Sequence, residues 1–167
     1  LHGIPGLCFV ISRRTALEEA CDPPRSLYMH LPFWAEKQDR RTTPFTPAVN
    51  GVLALARALE ELKKHGGWEG RRERYLELSG QVMSALAEAG VTPVLEPGES
   101  SCVLNAYRLP QGVSYEQLHD GLKQWGFVIY AGQGDLAAGM FRISTMGDIT
   151  HYDMERLLAA IETVFKR

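Results

Sequence analysis

The stretches Phe127-Val128-Ile129-Tyr130 and Met140-Phe141-Arg142-Ile143-Ser144 decide how the second half of this chain folds. Both are short, rich in β-branched and aromatic residues, and flanked by glycines, which is the pattern of strands. The loop between them carries Gly132, Gln133, Gly134 and Asp135. Ahead of them, Cys102 to Tyr107 reads as a further strand. Ser114-Tyr115-Glu116-Gln117 has the form of a capping box, in which the serine hydroxyl accepts from a free helix N–H and the glutamine reaches back. The helix it opens carries Leu118, Leu122 and Trp125, and Gly126 closes it. Behind the strands, Thr150 is placed to cap a last helix with Met154, Leu157, Leu158, Ile161 and Phe165 along its buried side.

Working upstream, a helix from about Trp68 to Ala89 has Tyr75, Leu78, Val82 and Leu86 on one stripe and Gly90 as its stop. Another runs from Pro47 to the His65-Gly66-Gly67 break, with Val52, Leu55, Ala56, Leu59 and Leu62 on one face. The stretch from Cys21 to Pro47 contains five prolines and no sustained periodicity, so it reads as irregular chain. Before it, the apolar run Leu7-Cys8-Phe9-Val10-Ile11-Ser12 reads as a strand covered on both faces, with no pairing partner nearby in sequence. The expected fold class is α+β: a small mixed or antiparallel sheet with helices packed on one face, preceded by an N-terminal strand and linker. The expected division is 1–47 as a remnant of a larger domain with its linker, and 48–167 as a small domain.

Composition narrows the function. A chain of 167 residues, 45% hydrophobic and 23% charged, is long enough for a real core and has the balance of a globular protein. A net charge of -2 gives no broad basic surface for a phosphate backbone, so nucleic acid is not an expected partner. No apolar run approaches the ~20 residues that span a bilayer, and no signal segment opens the chain, so no membrane role is expected. Three cysteines, Cys8, Cys21 and Cys102, are too few and too scattered for a disulfide framework or a zinc site, and a reduced cytoplasm is the expected compartment. The five histidines lack metal-ligand spacing, and no serine or cysteine lies in a nucleophile motif. No nucleophile, general base or metal is expected here, and the chain reads as the detached C-terminal part of a larger enzyme.

Two places carry candidate chemistry. Arg142 sits between Phe141 and Ile143, so its side chain lies on the face opposite both, where a charge must snorkel, pair or bind something. Its guanidinium is suited to grip a carboxylate or phosphonate through two parallel hydrogen bonds, while an exposed arginine or a structural ion pair fits the spacing as well. Thr42-Thr43-Pro44-Phe45-Thr46-Pro47 ends where a helix begins. Its hydroxyls and the first free N–H groups are suited to a phosphate, and a plain cap with proline at the first helical position is the other reading.

Taken in order, Gly3-Ile4-Pro5-Gly6 with Phe9-Val10-Ile11, then Phe45-Thr46-Pro47, then Gly126 to Tyr130 with Gly132, then Phe141-Arg142-Ile143 with Gly147 resemble the C-terminal half of a class V aminotransferase. The resemblance covers essentially the whole chain. It implies a fold-type-I enzyme that uses pyridoxal 5'-phosphate and works as a homodimer with active sites at the subunit interface. Its substrates would be a small amine, with 2-aminoethylphosphonate favoured, and a 2-oxo acid such as pyruvate; an alanine–glyoxylate or serine–pyruvate type of transamination is the near alternative. The Schiff-base lysine would fall just upstream of Leu1, so no catalytic residue is expected in this chain, which alone would be inactive. Thr46 would reach the cofactor phosphate of the partner subunit and Arg142 would hold the substrate's acid group. Thr43 stands where related enzymes often have a tyrosine that also touches the phosphate, a departure from the pattern. Desulfuration would call for a cysteine on a mobile loop, and neither Cys21 nor Cys102 is so placed. The alternative from another class is a non-catalytic small-molecule-sensing or interaction domain built on Cys102 to Arg167.

Overall fold

The structure is a computed structural model that describes residues 3–19, 24–96 and 98–165. It divides into two compact units, Leu1–Glu61 and Leu62–Arg167.

In the second unit, strands β1 (Leu104–Arg108), β2 (Tyr130–Ala131) and β3 (Met140–Ser144) form an antiparallel sheet in the order β1-β3-β2. The register pairs Tyr107 with Phe141 and Asn105 with Ile143, and these four residues are buried together on one face. Helices α4 (Gly67–Glu88), α5 (Tyr115–Gln124) and α6 (His151–Phe165) cover that face. Their stripes Leu78, Val82 and Leu86, Leu118 and Leu122, and Met154, Leu157, Ala160 and Ile161 join Tyr107, Phe141 and Ile143 in one core. The period-of-3.6 pattern of each helix thus meets the period-of-two pattern of the sheet, and the α+β class is as expected. A buried polar bond lies within this layer: the Asn105 side-chain amide donates to Ser79 Oγ at 2.7 Å. Burial of the Tyr107 ring pushes its phenol pKa up to about 12.

The capping box at Ser114 forms as its sequence indicates, with Ser114 N–H donating to Gln117 Oε1 at 2.8 Å and Gln117 N–H to Ser114 Oγ at 3.3 Å. Thr150 caps α6, and Asp153 returns the contact. Other expectations are corrected. Phe127 and Val128 are not in a strand, because Phe127 N–H donates to Leu122 O and Gly126 N–H to Lys123 O, closing α5; Gly126 takes the left-handed conformation this closure needs. The backbone reaches the sheet only at Tyr130, so β2 is shorter than the apolar run suggests. Trp125, expected on the inner stripe, is partly exposed, and its carbonyl accepts from Arg156 Nη2 at 2.7 Å. The Arg156 guanidinium also lies over the rings of Phe127 and Tyr152. The first strand begins at Leu104, not Cys102, and Pro93 adds an isolated bridge to Tyr107 at the sheet edge.

The first unit holds α1 (Arg14–Glu18), α2 (Leu31–Asp39) and most of α3 (Val49–Lys64), so the stretch read as irregular chain contains a helix. Pro32 sits in its first turn, where proline costs nothing. The expected strand at Leu7–Ser12 does not form. Phe9, Val10 and Ile11 are exposed, Ile11 at 92%, and among the described residues no neighbouring backbone offers them a ladder. Within α3 the expected stripe is only partly covered: Val52 and Leu59 are exposed, while Gly51 and Ala58 are buried. Cys21 lies outside the described residues. Among the described residues no helix is long and apolar enough to cross a membrane, and none of the His, Cys, Asp and Glu side chains cluster as metal ligands.

Candidate functional site

Arg142 is positioned by the strand that carries it. Phe141 and Ile143 turn inward, so Arg142 emerges on the face of the sheet opposite the helices, half-buried, beside its register partners Ala106 on β1 and Tyr130 on β2. Its Nε–H donates to the carbonyl of Ala131 at 2.9 Å, which leans the guanidinium over β2. Among the described residues no carboxylate lies within ion-pair distance of it. Among these residues, then, it makes no structural ion pair. What remains is a planar cation fixed at one nitrogen, with both terminal nitrogens available to take two oxygens of an acid side by side.

The carbonyl that fixes Arg142 is itself held by the next turn. Gly132 N–H donates to Met140 O at 2.9 Å, and a Cβ at Gly132 would sit 2.4 Å from the carbonyl oxygen of Leu136 in the short 3₁₀ helix Gly134–Ala138. Only glycine fits that approach. Tyr130 is the neighbour that sequence reasoning passed over. It is directly opposite Arg142 across the strands, on the same face, and 64% exposed. The signal was present in the alternation, since Ile129 is buried and the next residue must face the other way.

The second candidate place lies in the other unit. Helix α2 ends in an αL turn made by Arg41 at φ 54, with Thr42 N–H bonded back to Lys37 O at 2.9 Å. A non-glycine residue there stores strain of roughly 1 kcal/mol. The chain then passes Thr43 and reaches Phe45, whose ring packs against Tyr28, Phe33 and Trp34 at centroid distances of 5.4, 6.5 and 5.6 Å. Trp34 Nε1–H donates to Tyr28 O at 2.7 Å and locks this group. No periodicity signals it, because its members come from separate turns. The next residue, Thr46, is therefore presented from a fixed aromatic base, and Thr43 and Thr46 are both exposed. The first α3 bond, Val52 N–H to Ala48 O, makes Ala48 the cap, so Pro47 precedes the helix and is not at its first position as expected. Two hydroxyls beside the opening of a helix are donor chemistry that fits a phosphate group. The described lysines lie on helices: Lys37 over the Phe33 ring, Lys63 and Lys64 in the last turn of α3, and Lys123 in the last turn of α5.

No family model matches the chain. Among curated proteins it is similar to the 2-aminoethylphosphonate–pyruvate transaminase of Bacillus cytotoxicus, 32% identical over 164 residues, covering 96% of this chain and 45% of that protein. The enzyme of the same name from Aeromonas hydrophila is 34% identical over 165 residues, 96% of this chain and 43% of its own length. The chain thus spans less than half the length of the curated relatives it matches. Among solved structures, an aspartate aminotransferase of subgroup IV from Thermus thermophilus superposes with a TM-score of 0.72 at 30% identity, over 86% of this chain and 40% of that one. A ureidoglycine–glyoxylate aminotransferase from Bacillus subtilis does so with a TM-score of 0.73 at 26% identity, over 85% and 37%.

Proposed function

We propose that this chain is part of a pyridoxal-phosphate-dependent, fold-type-I aminotransferase, like the transaminases it resembles over nearly its whole length, and that the intact protein moves the amino group of 2-aminoethylphosphonate to pyruvate, giving phosphonoacetaldehyde and alanine. In this reading the protein is a cytoplasmic homodimer, residues 1–47 are a remnant of the cofactor-binding domain with its linker, and 48–167 are the small domain. The observation that carries it is Arg142: a half-buried, mid-strand guanidinium held at Nε by Ala131 O, with no carboxylate partner among the described residues.

Both substrates carry an acid group close to the reacting carbon: bonded to it directly in pyruvate, and separated from it by a methylene in 2-aminoethylphosphonate. Gripping the acid with the two terminal nitrogens of Arg142 restricts the orientations open to the reacting carbon in each half-reaction. Thr46 and Thr43 would hold the cofactor phosphate, Thr46 across the dimer. When bound, pyridoxal phosphate supplies the electron sink for transamination. Arg142 binds and aligns and moves no proton. The amine that anchors the cofactor lies, in this reading, outside this chain, which alone does not turn over.

The test uses the full-length protein with 2-aminoethylphosphonate and pyruvate, following alanine. Arg142→Ala is expected to raise KM for both substrates by about thirtyfold or more, since truncating one side of a hydrogen-bonded charge pair costs ~2–5 kcal/mol. Arg142→Lys is expected to rescue little, because an ammonium offers neither the paired grip nor the bond to Ala131 O. Unchanged KM values in Arg142→Ala would remove Arg142 from the site. Alanine formed by this chain alone on adding cofactor and substrates would sink the claim that it is incomplete.

A further inference from the structure

We propose that Tyr130 is a specificity-determining residue, its hydroxyl donating to the third oxygen of a phosphonate whose other two oxygens are held by Arg142. The inference rests on the reading of Arg142 as the residue that grips the substrate's acid.

Tyr130 and Arg142 are direct partners in the antiparallel pairing of β2 with β3, so their side chains leave the same face at neighbouring positions. Residues paired in this way have Cβ atoms ~5 Å apart, well within the reach of an aromatic side chain. The bond from Arg142 Nε to Ala131 O, the residue after Tyr130, tilts the guanidinium toward the strand that carries the tyrosine. Tyr130 is 64% exposed, and among the described residues its hydroxyl has no hydrogen-bond partner and its ring does not stack on the guanidinium. A large aromatic with a free polar tip therefore stands beside an arginine with two free nitrogens, on the face of the sheet opposite α4, α5 and α6.

The bond at Nε dictates which edge of the guanidinium meets the ligand. With Nε committed, an acid must approach end-on, one oxygen on each terminal nitrogen, both near the guanidinium plane. A carboxylate is satisfied by this, because it is planar and has only two oxygens. A phosphonate is tetrahedral. With two oxygens in the plane, its third projects out of it and needs a separate donor, which an adjacent phenol supplies. Tyr130 thereby discriminates between the two acids that the same arginine must accept.

The experiment compares full-length wild type, Tyr130→Phe and Arg142→Ala, measuring KM and kcat for 2-aminoethylphosphonate and for pyruvate separately, with thermal unfolding as a check on folding. Losing a hydrogen bond to a charged group corresponds to roughly ten- to hundredfold in affinity. The expected result for Tyr130→Phe is therefore a KM for 2-aminoethylphosphonate raised about tenfold or more, with the KM for pyruvate, kcat and the melting temperature nearly unchanged. Equal rises in both KM values, or no rise in either, would overturn the assignment of Tyr130 while leaving that of Arg142 intact. A wild type that does not use 2-aminoethylphosphonate, or an Arg142→Ala protein with unaltered KM values, would overturn the underlying reading and this proposal with it.

Discussion

Replacing Gly132 with alanine is expected to damage both stability and substrate binding through a single steric contact. The added Cβ would lie 2.4 Å from Leu136 O, 2.6 Å from Leu136 C and 2.8 Å from Met140 Cγ. The methionine can swing aside, but the other two atoms are backbone within a turn of 3₁₀ helix, and no rotamer change relieves them. Overpacking a well-filled site costs ~1–3 kcal/mol. With backbone as the obstacle, the upper end applies, about 3 kcal/mol. For a protein of 150–250 residues each kcal/mol moves Tm by roughly 2–4 °C, so a drop of roughly 6–12 °C is expected. The chain can lower that cost only by displacing the turn, and the turn holds the Ala131 carbonyl on which Arg142 Nε rests. Relief of the clash thus appears as a higher KM. Thermal and denaturant unfolding of the intact protein, with steady-state kinetics beside them, measure both quantities. A Gly132→Ala protein within ~0.5 kcal/mol of wild type and with unchanged KM would refute the link between the turn and the arginine.

Further outcomes follow from the core and from one helix cap. Leu86 is fully buried between helices and sheet, so Leu86→Ala should cost ~3–5 kcal/mol in denaturant unfolding. The Thr150 hydroxyl, and then its backbone N–H, hold the Asp153 carboxyl below its ordinary value of 3.8. A carboxyl lowered in the folded state stabilises above its unfolded pKa, and that contribution is lost as pH falls through the folded value. Stability should therefore decline as pH drops below about 3.8, and Asp153→Asn should lose this part of the decline; an identical acid titration in the variant would count against the cap.

Local rules carried the second unit. Ser114 and Gln117, the Leu78–Val82–Leu86 stripe and the alternation in Met140–Ser144 each specify their own element, and each formed where its residues indicated. Failures came where a distant partner decides. Leu7–Ser12 has the composition of a buried strand, but a strand without a ladder leaves its backbone to water, and nothing in the run itself says whether a ladder exists. Phe127 and Val128 are strand formers claimed by the closure of the preceding helix, a competition visible only once Gly126 is known to adopt the left-handed turn. For the site, Arg142 was legible because a charge between two core residues violates the pattern. Tyr130 was not, since an exposed tyrosine violates nothing until the register sets it beside that charge. The aromatic base under Thr46 was equally hidden, as Tyr28, Phe33, Trp34 and Phe45 share no period.

Arg156 belongs to the first turns of α6, yet it closes the final carbonyl of α5 and stacks on Phe127 just beyond it. A cation that caps another helix's negative end makes the fraying of one helix a loss for the other. The tail of α5 and the head of α6 are therefore tied by one side chain, a latch that lies just ahead of the backbone leading into β2.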